Sequence, residues 1–565
     1  MRRRLGNGVD LGFVLMGSGV LRLARPIRTM RGLGLMRAWG TSLGGLSKAA
    51  AAGQPGKTAL IDEFGALTFG ELDARTDRLA VALPLTGPRP RIGILCRNHR
   101  GLIETLIACS KRGAEVVLLN TGFGPGQLRA VLTELRVDLL VADAEFAAVL
   151  AASPAPLRKV VIWADAPGGP GETLERLRAT ADATPLFPPH TQGRIIMLSS
   201  GTGGRPKGAR RKPKPGMRPL ASMLSRIPLR SHQTFILDAP VFHTWGLAAL
   251  QIGMALRCTM VLHRRFDPEQ TLSEIARHRR SALFAVPVMI QRIMEMPEEA
   301  RAEFDVRGLK VVALSGSALP GTLAHRFMDA FGDKLYNVYG STEASWVSIA
   351  GPRELRINPG TAGRPPRGTS LVLLNAEDKP VPRATIGRIF AANENVFEGY
   401  TSGEPTPAWG GLLFTGDLGH LDARGMLYVD GRQDGLVVSG GENVVPHDVE
   451  DVLSRLPEVR EVAVMGIPDE EYGQRLAAYI VARPGSELTE QSVREYVREQ
   501  VARYAVPREV HFIPELPRNA TGKVVYRWLP GLEKNRVRSP EGRVTFWPQP
   551  DSYELAAAPT PEDVT

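Results

Sequence analysis

Long apolar runs are absent from this 565-residue sequence, in which no stretch of 18 or more apolar residues occurs. A transmembrane helix needs about 20 such residues, so no spanning helix is expected. Cysteine is also scarce. Cys96, Cys109 and Cys258 lie far apart, without the close spacing of a metal site and without the even number of a disulfide framework. We therefore expect a cytosolic protein in a reducing compartment.

Acidic residues are nearly missing from two parts of a chain whose formal net charge is +11. Residues 1–45 carry eight Arg and one Asp, and residues 205–230 carry nine Lys or Arg and no acid. Aromatic residues make up only 6% of the chain and do not alternate with these basic residues, which argues against a nucleic-acid partner.

The basic N-terminus has a regular spacing of its own. Arg22, Arg25, Arg28 and Arg31 recur every third residue between apolar side chains, although Pro26 would kink or start a helix there. This pattern suits a basic helix at the inner face of an anionic membrane. The alternative is a disordered leader followed by a helix packed on the body of the protein.

Alternation of short apolar runs with helical periodicity predicts the fold class. RIGILC, AEVVLLN, DLLVAD and KVVIWAD are typical of strands, and the segments between them of helices. The pattern predicts a large α/β body of stacked layers with a β-rich part from about residue 368, followed by a small α+β unit. The expected domains are a basic leader (1–45), a large domain (46–432), a small mobile C-terminal domain (433–530) and a disordered tail (531–565).

The segment MLSSGTGGRPKGARR, starting at Met197, combines Gly, Ser and Thr with a Lys in the manner of a phosphate-binding loop. It does not fit the GxxxxGK[ST] pattern, because Pro206 precedes Lys207 and Gly208 follows it. It does not fit GxGxxG either, since the glycines at 201 and 203 are followed by Gly204, Arg205 and Pro206. The loop is therefore neither a Walker loop nor a dinucleotide-binding turn.

Five further segments follow in a fixed order: APVFHTWG, VYGSTEAS, FTGDLGHLDARGMLYVDGRQD, VVSGGENVVPHDVE and PRNATGKVVYR. Together with the Gly-rich loop, they resemble the adenylate-forming superfamily of acyl-CoA synthetases, luciferases and adenylation domains over roughly residues 50–530. NTGFGPGQL, FHTWG and ARRKPKP are most similar to bacterial fatty-acid CoA ligases. Six segments in order are far more specific than any one of them.

The resemblance implies an ATP site with Mg²⁺. The phosphate loop would supply Ser199, Ser200, Gly201, Thr202, Gly203, Gly204 and Lys207, whose hydroxyl, N–H and ammonium groups suit phosphate oxygens. The family usually has a second Thr where this chain has Gly203, so one phosphate contact is lost. Glu343, with Ser199, would bind Mg²⁺, and Thr342 would contact the α-phosphate.

The nucleoside would be held by three more groups of residues. Asp417 would accept both ribose hydroxyls, and Arg432 would contact ribose or phosphate. The adenine pocket would comprise Ser315, Gly316, Ser317, Ala318, Asn337, Tyr339 and Gly340. Each residue also has an ordinary structural interpretation, such as a helix start for Ser341 and Glu343, or a turn for Asp417.

The acid and the thiol would meet the same site. His243 and Trp245 would line the acyl pocket. Relatives that activate amino acids place an Asp in this segment, whereas PVFHTWGLAAL contains no acidic residue, so the resemblance implies an acid without a free α-amine. The resemblance makes Lys523 the catalytic cation of adenylation. It places the hinge of a domain rotation at Asp434 and assigns the CoA tunnel to Ser439, Gly440 and Gly441.

The expected function is therefore ATP-dependent activation of a long- or medium-chain fatty acid to acyl-AMP and its transfer to CoA. The alternatives are a fatty-acyl-AMP ligase, an aryl or short-chain acid–CoA ligase, and an inactive acyl- or nucleotide-binding protein. Fatty-acyl-AMP ligases usually carry an insertion near the hinge, so by the resemblance the short link between Arg432 and Gly440 favours CoA over a carrier protein. The expected partners are these small molecules, an anionic membrane surface and a second copy of the chain.

Overall fold

The alternation of strands and helices predicted from the sequence is present in the computed structural model. The structure describes residues 12–20, 26–151, 153–154, 157–162, 173–181, 184–199, 207–211, 216–435, 437–439, 442–469, 473–501, 505–530 and 532. Its strands are β1 Thr58–Asp62, β2 Gly65–Thr68, β3 Arg91–Leu95, β4 Glu115–Leu118, β5 Leu139–Ala142, β6 Arg158–Val161, β7 Ile195–Ser199, β8 Lys207–Arg211, β9 Thr234–Leu237, β10 Thr259–Leu262, β11 Ser281–Ala285, β12 Leu309–Leu314, β13 Leu335–Ser341, β14 Ser345–Ala350, β15 Ser370–Leu374, β16 Gly387–Ala392, β17 Ala408–Trp409, β18 Leu412–Leu421, β19 Leu427–Arg432, β20 Val437–Ser439, β21 Glu442–Val444, β22 Val459–Asp469, β23 Gly473–Ala482 and β24 Glu509–Phe512.

Most helices begin at a side chain that caps their first turn or at a proline. The helices are α1 Pro26–Trp39, α2 Leu43–Gly53, α3 Phe69–Ala82, α4 Arg100–Arg112, α5 Pro125–Glu134, α6 Ala147–Leu150, α7 Leu174–Ala179, α8 Arg218–Leu224, α9 Thr244–Leu256, α10 Pro268–Arg277, α11 Pro287–Glu295, α12 Glu298–Ala302, α13 Gly321–Phe331, α14 Pro352–Ile357, α15 Pro446–Leu453 and α16 Glu490–Gln500. In α3, Thr68 and Glu71 form a reciprocal capping box. Helix α4 ends at Gly113, whose φ of 68° is one that glycine adopts without strain.

The large body contains three sheets. One has the order β14-β13-β12-β11-β9-β10-β1-β2 and a second has the order β6-β5-β3-β4-β7-β8. Both are parallel in their interior, but β14, β2 and β8 join them as antiparallel edge strands. The third sheet, β15-β16-β18-β17 with β19 on β18, is antiparallel throughout and forms the β-rich part. The predicted α/β body is thus confirmed.

A small C-terminal unit, here called the cap, follows β19. Its sheet has the order β21-β20-β23-β22, with β24 parallel to β23, and α15 and α16 pack on it. The cap has its own apolar core, to which Val449, Val464, Ile480 and Val493 contribute. A large body with a small α+β domain was predicted, and this architecture is confirmed. The exact boundary at residue 433 stays a prediction.

The N-terminal region packs on the body. Leu15 and Val20 are buried in the main apolar core, and the carbonyl of Ser18 accepts a hydrogen bond from the N–H of Ser231 at 2.8 Å. Helix α1 packs along α2 and buries Trp39, while Met30 on its other side is 71% exposed. Over the described residues, no helix combines the length and the apolar character needed to cross a membrane.

Candidate active site

A cleft of about 4110 Å³ lies between the body and the cap. The loops that follow β9, β11 and β12 line it, so the cleft is found at the carboxyl ends of parallel strands. This is where α/β sheets usually bind their ligands, because the strand ends there carry loops that are free to vary.

Most of the residues that the sequence analysis singled out meet in this cleft. Its lining includes Lys207, His243, Trp245, Ser315, Gly316, Ser317, Ala318, Asn337, Tyr339, Gly340, Thr342, Glu343, Asp417, Arg432 and Lys523. Ser199 ends β7 opposite Lys207, and Ser439 ends β20 opposite Gly473. Asp434 lies in a 3-10 turn between the body and the cap. Ser200, Gly201, Thr202, Gly203, Gly204, Gly440 and Gly441 lie outside the described residues.

Thr342 and Glu343 lie in a tight turn between β13 and β14, and not at a helix start as one interpretation of the sequence had it. The hydroxyl of Ser341 accepts a hydrogen bond from the N–H of Ala344 at 3.0 Å and closes the turn. A Cβ at Gly340 would lie 1.9 Å from the carbonyl oxygen of Ser345, so only glycine fits there. The side chains of Thr342 and Glu343 therefore project from a tight turn between two paired strands.

The Glu343 carboxylate suits a hard cation. It lines the cleft, and its Oε1 accepts a hydrogen bond from the hydroxyl of Tyr400 at 2.7 Å. A carboxylate has about four lone-pair directions, so one such bond leaves room for a metal ligand. Oxygen donors of this kind are what Mg²⁺ prefers beside phosphates.

Asp417 is held in place by contacts with two neighbouring residues. It lies in β18, where its pairing partner across the ladder is Arg432 of β19, and its side chain is nearly buried. The Tyr339 hydroxyl donates to Asp417 Oδ2 at 2.6 Å, and Arg432 Nε lies 3.7 Å from Oδ1. Burial and the Asp417 carboxylate raise the pKa of Tyr339 well above its usual value, so the phenol remains a donor.

The adenine-pocket residues predicted from the sequence line the same cleft as Asp417. Ser315–Ala318 follow β12 in a bend where Gly316 has a φ of 100°, a conformation that favours glycine. The predicted stacking of Tyr339 on a base stays a prediction. Its hydroxyl contact with Asp417 was not foreseen.

His243 stands immediately before α9 and lines the cleft. Burial lowers the pKa of His243 to about 4, so the imidazole is neutral at pH 7. Its Nε2 is shielded from solvent and makes no hydrogen bond to any described residue. The imidazole can thus offer a neutral hydrogen-bonding group to a ligand.

The apolar segment GLAALQIGMAL forms most of helix α9, and its sequence is compatible with a hydrophobic tunnel and equally with a buried helix. Only the beginning of this helix faces the cleft, through residues such as Trp245 and Ala248. Further along, Leu250, Met254 and Leu256 are buried in the main core. The apolar run is therefore chiefly a buried helix and does not form a tunnel wall along its whole length.

Lys523 reaches the cleft on a loop of the cap that presses on the body. A Cβ at Gly522 would lie 2.5 Å from Val288 Cγ1, and one at Gly122 would lie 3.3 Å from Ala520 Cβ. Asn519 Oδ1 accepts a hydrogen bond from the N–H of Lys523 at 2.9 Å and shapes the loop. Lys523 and Glu343 therefore face one cleft in this arrangement of the cap.

Two residues that contact the Thr342–Glu343 turn escaped the sequence analysis. Tyr400 contacts Glu343, and Arg211 donates a hydrogen bond to the carbonyl of Thr342. Arg211 was noticed only as part of a basic run, and Tyr400 lies in the segment FEGYTSGE, which has no distinctive composition. Neither contact has a signal in local sequence.

Comparisons with known proteins agree with this geometry. The chain matches the AMP-binding enzyme family over residues 47–401 and the AMP-binding enzyme C-terminal domain over residues 448–523. An indoleacetate–CoA ligase of Aromatoleum aromaticum is 31% identical over 512 residues, which are 88% of this chain and 97% of that protein. A feruloyl-CoA synthase of an Amycolatopsis species is 32% identical over 479 residues, covering 83% of this chain and 95% of the relative.

A solved structure of an anthranilate CoA ligase with anthranoyl-AMP superposes with a TM-score of 0.79 at 25% identity, covering 87% of this chain and 97% of that one. The predicted superfamily is confirmed, whereas its finer fatty-acid qualifier stays a prediction. ATP and CoA are the cosubstrates, and Mg²⁺ is the ion that usually accompanies ATP. The chain belongs to the AMP-binding enzyme family and is an ATP-dependent acid–CoA ligase that works through an acyl-adenylate.

Proposed function

We propose that the cleft activates a compact, largely apolar carboxylic acid, aromatic or alicyclic, for transfer to CoA. Glu343, Thr342, Asp417, His243 and Lys523 face the same cleft although they are distant in the chain, and this convergence carries the assignment of roles. Asp417 binds the ribose, Thr342 the α-phosphate, and Glu343 holds the metal.

The charges of the cleft suit the first half-reaction. Mg²⁺ bound at Glu343 would offset phosphate charge as pyrophosphate departs. The Lys523 ammonium reaches the acid carboxylate and the α-phosphate, where negative charge develops during in-line displacement. His243 is neutral and enclosed, so it hydrogen-bonds the substrate without adding charge.

Two indole rings support the compact shape of the acid. Trp245 donates from Nε1 to the carbonyl of Ala285 at 3.2 Å, and Trp346 donates from Nε1 to Ser222 Oγ at 3.1 Å. Both rings line the cleft and are nearly buried, so each is held in place by packing and by its hydrogen bond. Fixed aromatic walls favour flat, rigid acids over long flexible chains.

The relatives point in the same direction. The indoleacetate–CoA ligase and the feruloyl-CoA synthase are named for aromatic acids, and the anthranilate CoA ligase was solved with an aromatic acyl-adenylate. A long- or medium-chain fatty acid, expected from the sequence, remains the second candidate, because the cleft extends well beyond these two rings.

A substrate panel tests the proposal. Pyrophosphate release with ATP and Mg²⁺ would be compared for benzoate, cinnamate, indole-3-acetate, octanoate and palmitate, and thioester would be followed by mass spectrometry with CoA present. We expect the largest kcat/KM among the aromatic acids. A preference for palmitate would overturn the compact-acid proposal and restore the fatty-acid prediction.

A cleft variant sharpens this test. Trp346→Leu shortens one wall, so we expect it to raise activity with octanoate relative to benzoate. Trp409→Leu, at an indole of the antiparallel sheet outside the cleft lining, is the matched control. Equal substrate ratios in Trp346→Leu and the native protein would contradict the assignment of Trp346 to the acyl pocket.

We also propose that the N-terminal region contacts an anionic membrane surface. Phe13 is 65% exposed and Met30 is 71% exposed, and Leu33 is exposed beside Arg31 and Arg37. The combination of exposed apolar and basic side chains suits an interfacial surface. A second copy of the chain, expected as a partner, stays a prediction.

Vesicle flotation tests the membrane contact. We expect binding to vesicles of phosphatidylglycerol and phosphatidylcholine at low salt, and little binding to phosphatidylcholine alone. The double variant Phe13→Ser, Met30→Ser should lose binding, whereas Phe187→Ser, at an exposed Phe elsewhere, should retain it. Binding that is independent of lipid charge and unchanged by these substitutions would refute the proposal.

A further inference from the structure

Strand β8, which follows the Gly-rich loop, is hydrogen-bonded to a distant part of the chain. Its Arg210 N–H donates to the carbonyl of Gly399 at 3.0 Å, and the N–H of Thr401 donates to the carbonyl of Gly208 at 2.7 Å. A Cβ at Gly208 would lie 2.6 Å from Thr401 Oγ1, so the two backbones pack together without an intervening side chain. The segment 398–401 thus behaves as an added strand beside β8.

Tyr400 lies at the centre of this added strand, paired with Ala209. Its hydroxyl donates to Glu343 Oε1 at 2.7 Å, and its ring centroid is 5.6 Å from Lys207 Nζ. One side chain therefore contacts both the lysine of the phosphate loop and the acid of the metal site. Burial, followed by the Glu343 charge, raises the pKa of Tyr400, so its phenol remains a donor.

Arg211, at the end of β8, approaches the same turn from its other side. It donates from Nη2 to the carbonyl of Thr342, and its Nη1 lies 3.3 Å from Ser345 Oγ. Its Nε is shielded from solvent. Burial lowers the pKa of Arg211 to about 10, against the opposing influence of Glu343, so the guanidinium keeps its charge at pH 7.

The turn that these residues hold is strained. Ser345 has a φ of 63°, which is unfavourable for a residue other than glycine. Such a conformation persists only when its surroundings impose it. Here the Ser345 hydroxyl accepts hydrogen bonds from Arg211 and, at 3.1 Å, from Asn395 Nδ2.

We propose that Arg211 and Tyr400 are positioning residues that lock the Thr342–Glu343 turn to β8, and thereby set the metal-binding carboxylate relative to the phosphate loop. This inference rests on the proposed role of Glu343 in binding Mg²⁺. It follows that β8, which begins at Lys207, and the turn carrying Glu343 move as one unit when ATP binds.

Calorimetric titration of ATP without any acid tests the inference, because it reads metal-dependent binding and not turnover. The Kd for ATP would be measured with Mg²⁺ and with EDTA. In Tyr400→Phe and in Arg211→Met we expect the Kd with Mg²⁺ to rise about tenfold, as for loss of one charge-assisted hydrogen bond, with the EDTA value unchanged.

Two comparisons separate positioning from charge. Loss of a nearby cation would, by electrostatics alone, weaken ATP binding most in EDTA, where no Mg²⁺ offsets the phosphate charge, so an equal or larger loss in EDTA for Arg211→Met would overturn the proposal. Arg211→Lys keeps the charge but lacks the two-pronged guanidinium, and we expect it not to restore binding. Restoration by lysine would refute a positioning role for Arg211.

Matched controls and a third variant complete the design. Tyr496→Phe in the cap and Arg307→Met at an exposed ion pair should bind ATP like the native protein. Glu343→Gln should lose the Mg²⁺ effect. If Glu343→Gln loses the Mg²⁺ effect but the Arg211 and Tyr400 variants keep it, only the inference about these two residues fails. If Glu343→Gln itself has no effect, the proposed metal site is wrong, and the inference falls with it.

The double variant Arg211→Met, Tyr400→Phe provides a second measure. Because both residues act on one turn, we expect its loss of binding to be smaller than the product of the two single losses. Independent, fully multiplicative losses would contradict a shared turn. Melting temperatures measured without ligand would show whether any variant has simply lost its fold.

Discussion

At the scale of single residues, the proposed acyl site contains one neutral polar group, His243, and one charged group, Lys523. Burial lowers the pKa of His243 to about 4, so this enclosed imidazole carries no charge in the neutral range. Lys523 is exposed on a loop of the cap and brings its charge from outside. The position of the Lys523 charge in the cleft therefore depends on where the cap lies.

Lys523→Ala tests this division of roles. We expect pyrophosphate release from free acid and ATP to fall by about 10²- to 10³-fold, as when one group that stabilises developing charge is removed. Thioester formation from synthetic acyl-AMP should change little. Adenylate formation at the native rate would show that Lys523 has no role in the first half-reaction.

At the scale of elements, helix α15 carries a cluster of titratable groups against the body. His447 Nδ1 lies 3.0 Å from Glu450 Oε2, and Asp451 lies within ion-pair distance of the same ring. Asp448, on the same helix, faces Asp430 of β19. Burial alone would lower the pKa of His447, but the hydrogen bond that its ring donates to Glu450 and the surrounding carboxylates raise it to about 9.

The sign of the resulting pH dependence follows from linkage. Because the pKa of His447 is raised on folding, its contribution to stability is complete below about pH 6.5 and is lost as the pH rises through 9. We expect the melting temperature to fall between pH 7 and 10, and His447→Gln to reduce this fall. His190→Gln, at an exposed histidine, is the control; an unchanged pH profile in His447→Gln would contradict the assignment.

At the scale of the whole molecule, contacts between the cap and the body hold the arrangement in which Lys523 and Glu343 line one cleft. Arg460 Nε of the cap lies 3.2 Å from Glu295 Oε1 of the body, and both side chains are half-buried. The predicted rotation about Asp434, which would exchange Lys523 for Ser439, Gly440 and Gly441, stays a prediction.

Glu295→Gln tests whether this contact favours the first half-reaction. A partly exposed ion pair contributes at most about 1 kcal/mol, so we expect adenylate formation to fall by up to about fivefold. Transfer from synthetic acyl-AMP to CoA should be unchanged or faster, because the cap leaves this arrangement more readily. Glu298→Gln, at an exposed carboxylate nearby, is the control. Equal losses in both half-reactions would argue against a role in cap orientation.

Much of the fold was predictable because its signals are local. The strands RIGILC and DLLVAD and the β-rich part after residue 368 follow from periodicity within a few residues. The order of the six motifs indicated the superfamily in the same way. Periodicity did not reveal that β2, β8 and β14 join their sheets as antiparallel edge strands. The direction in which a strand pairs depends on the path of the chain between the strands.

By itself, then, the sequence determined the α/β class, the motif order and the identity of the cleft residues from Lys207 to Lys523. Only the tertiary structure decided which side chains support them. Tyr339 meets Asp417, Arg211 meets Thr342 and Tyr400 meets Glu343 across separations of 78, 131 and 57 residues. Such contacts arise from the packing of whole sheets and leave no trace in local composition, because each partner alone is an ordinary polar residue.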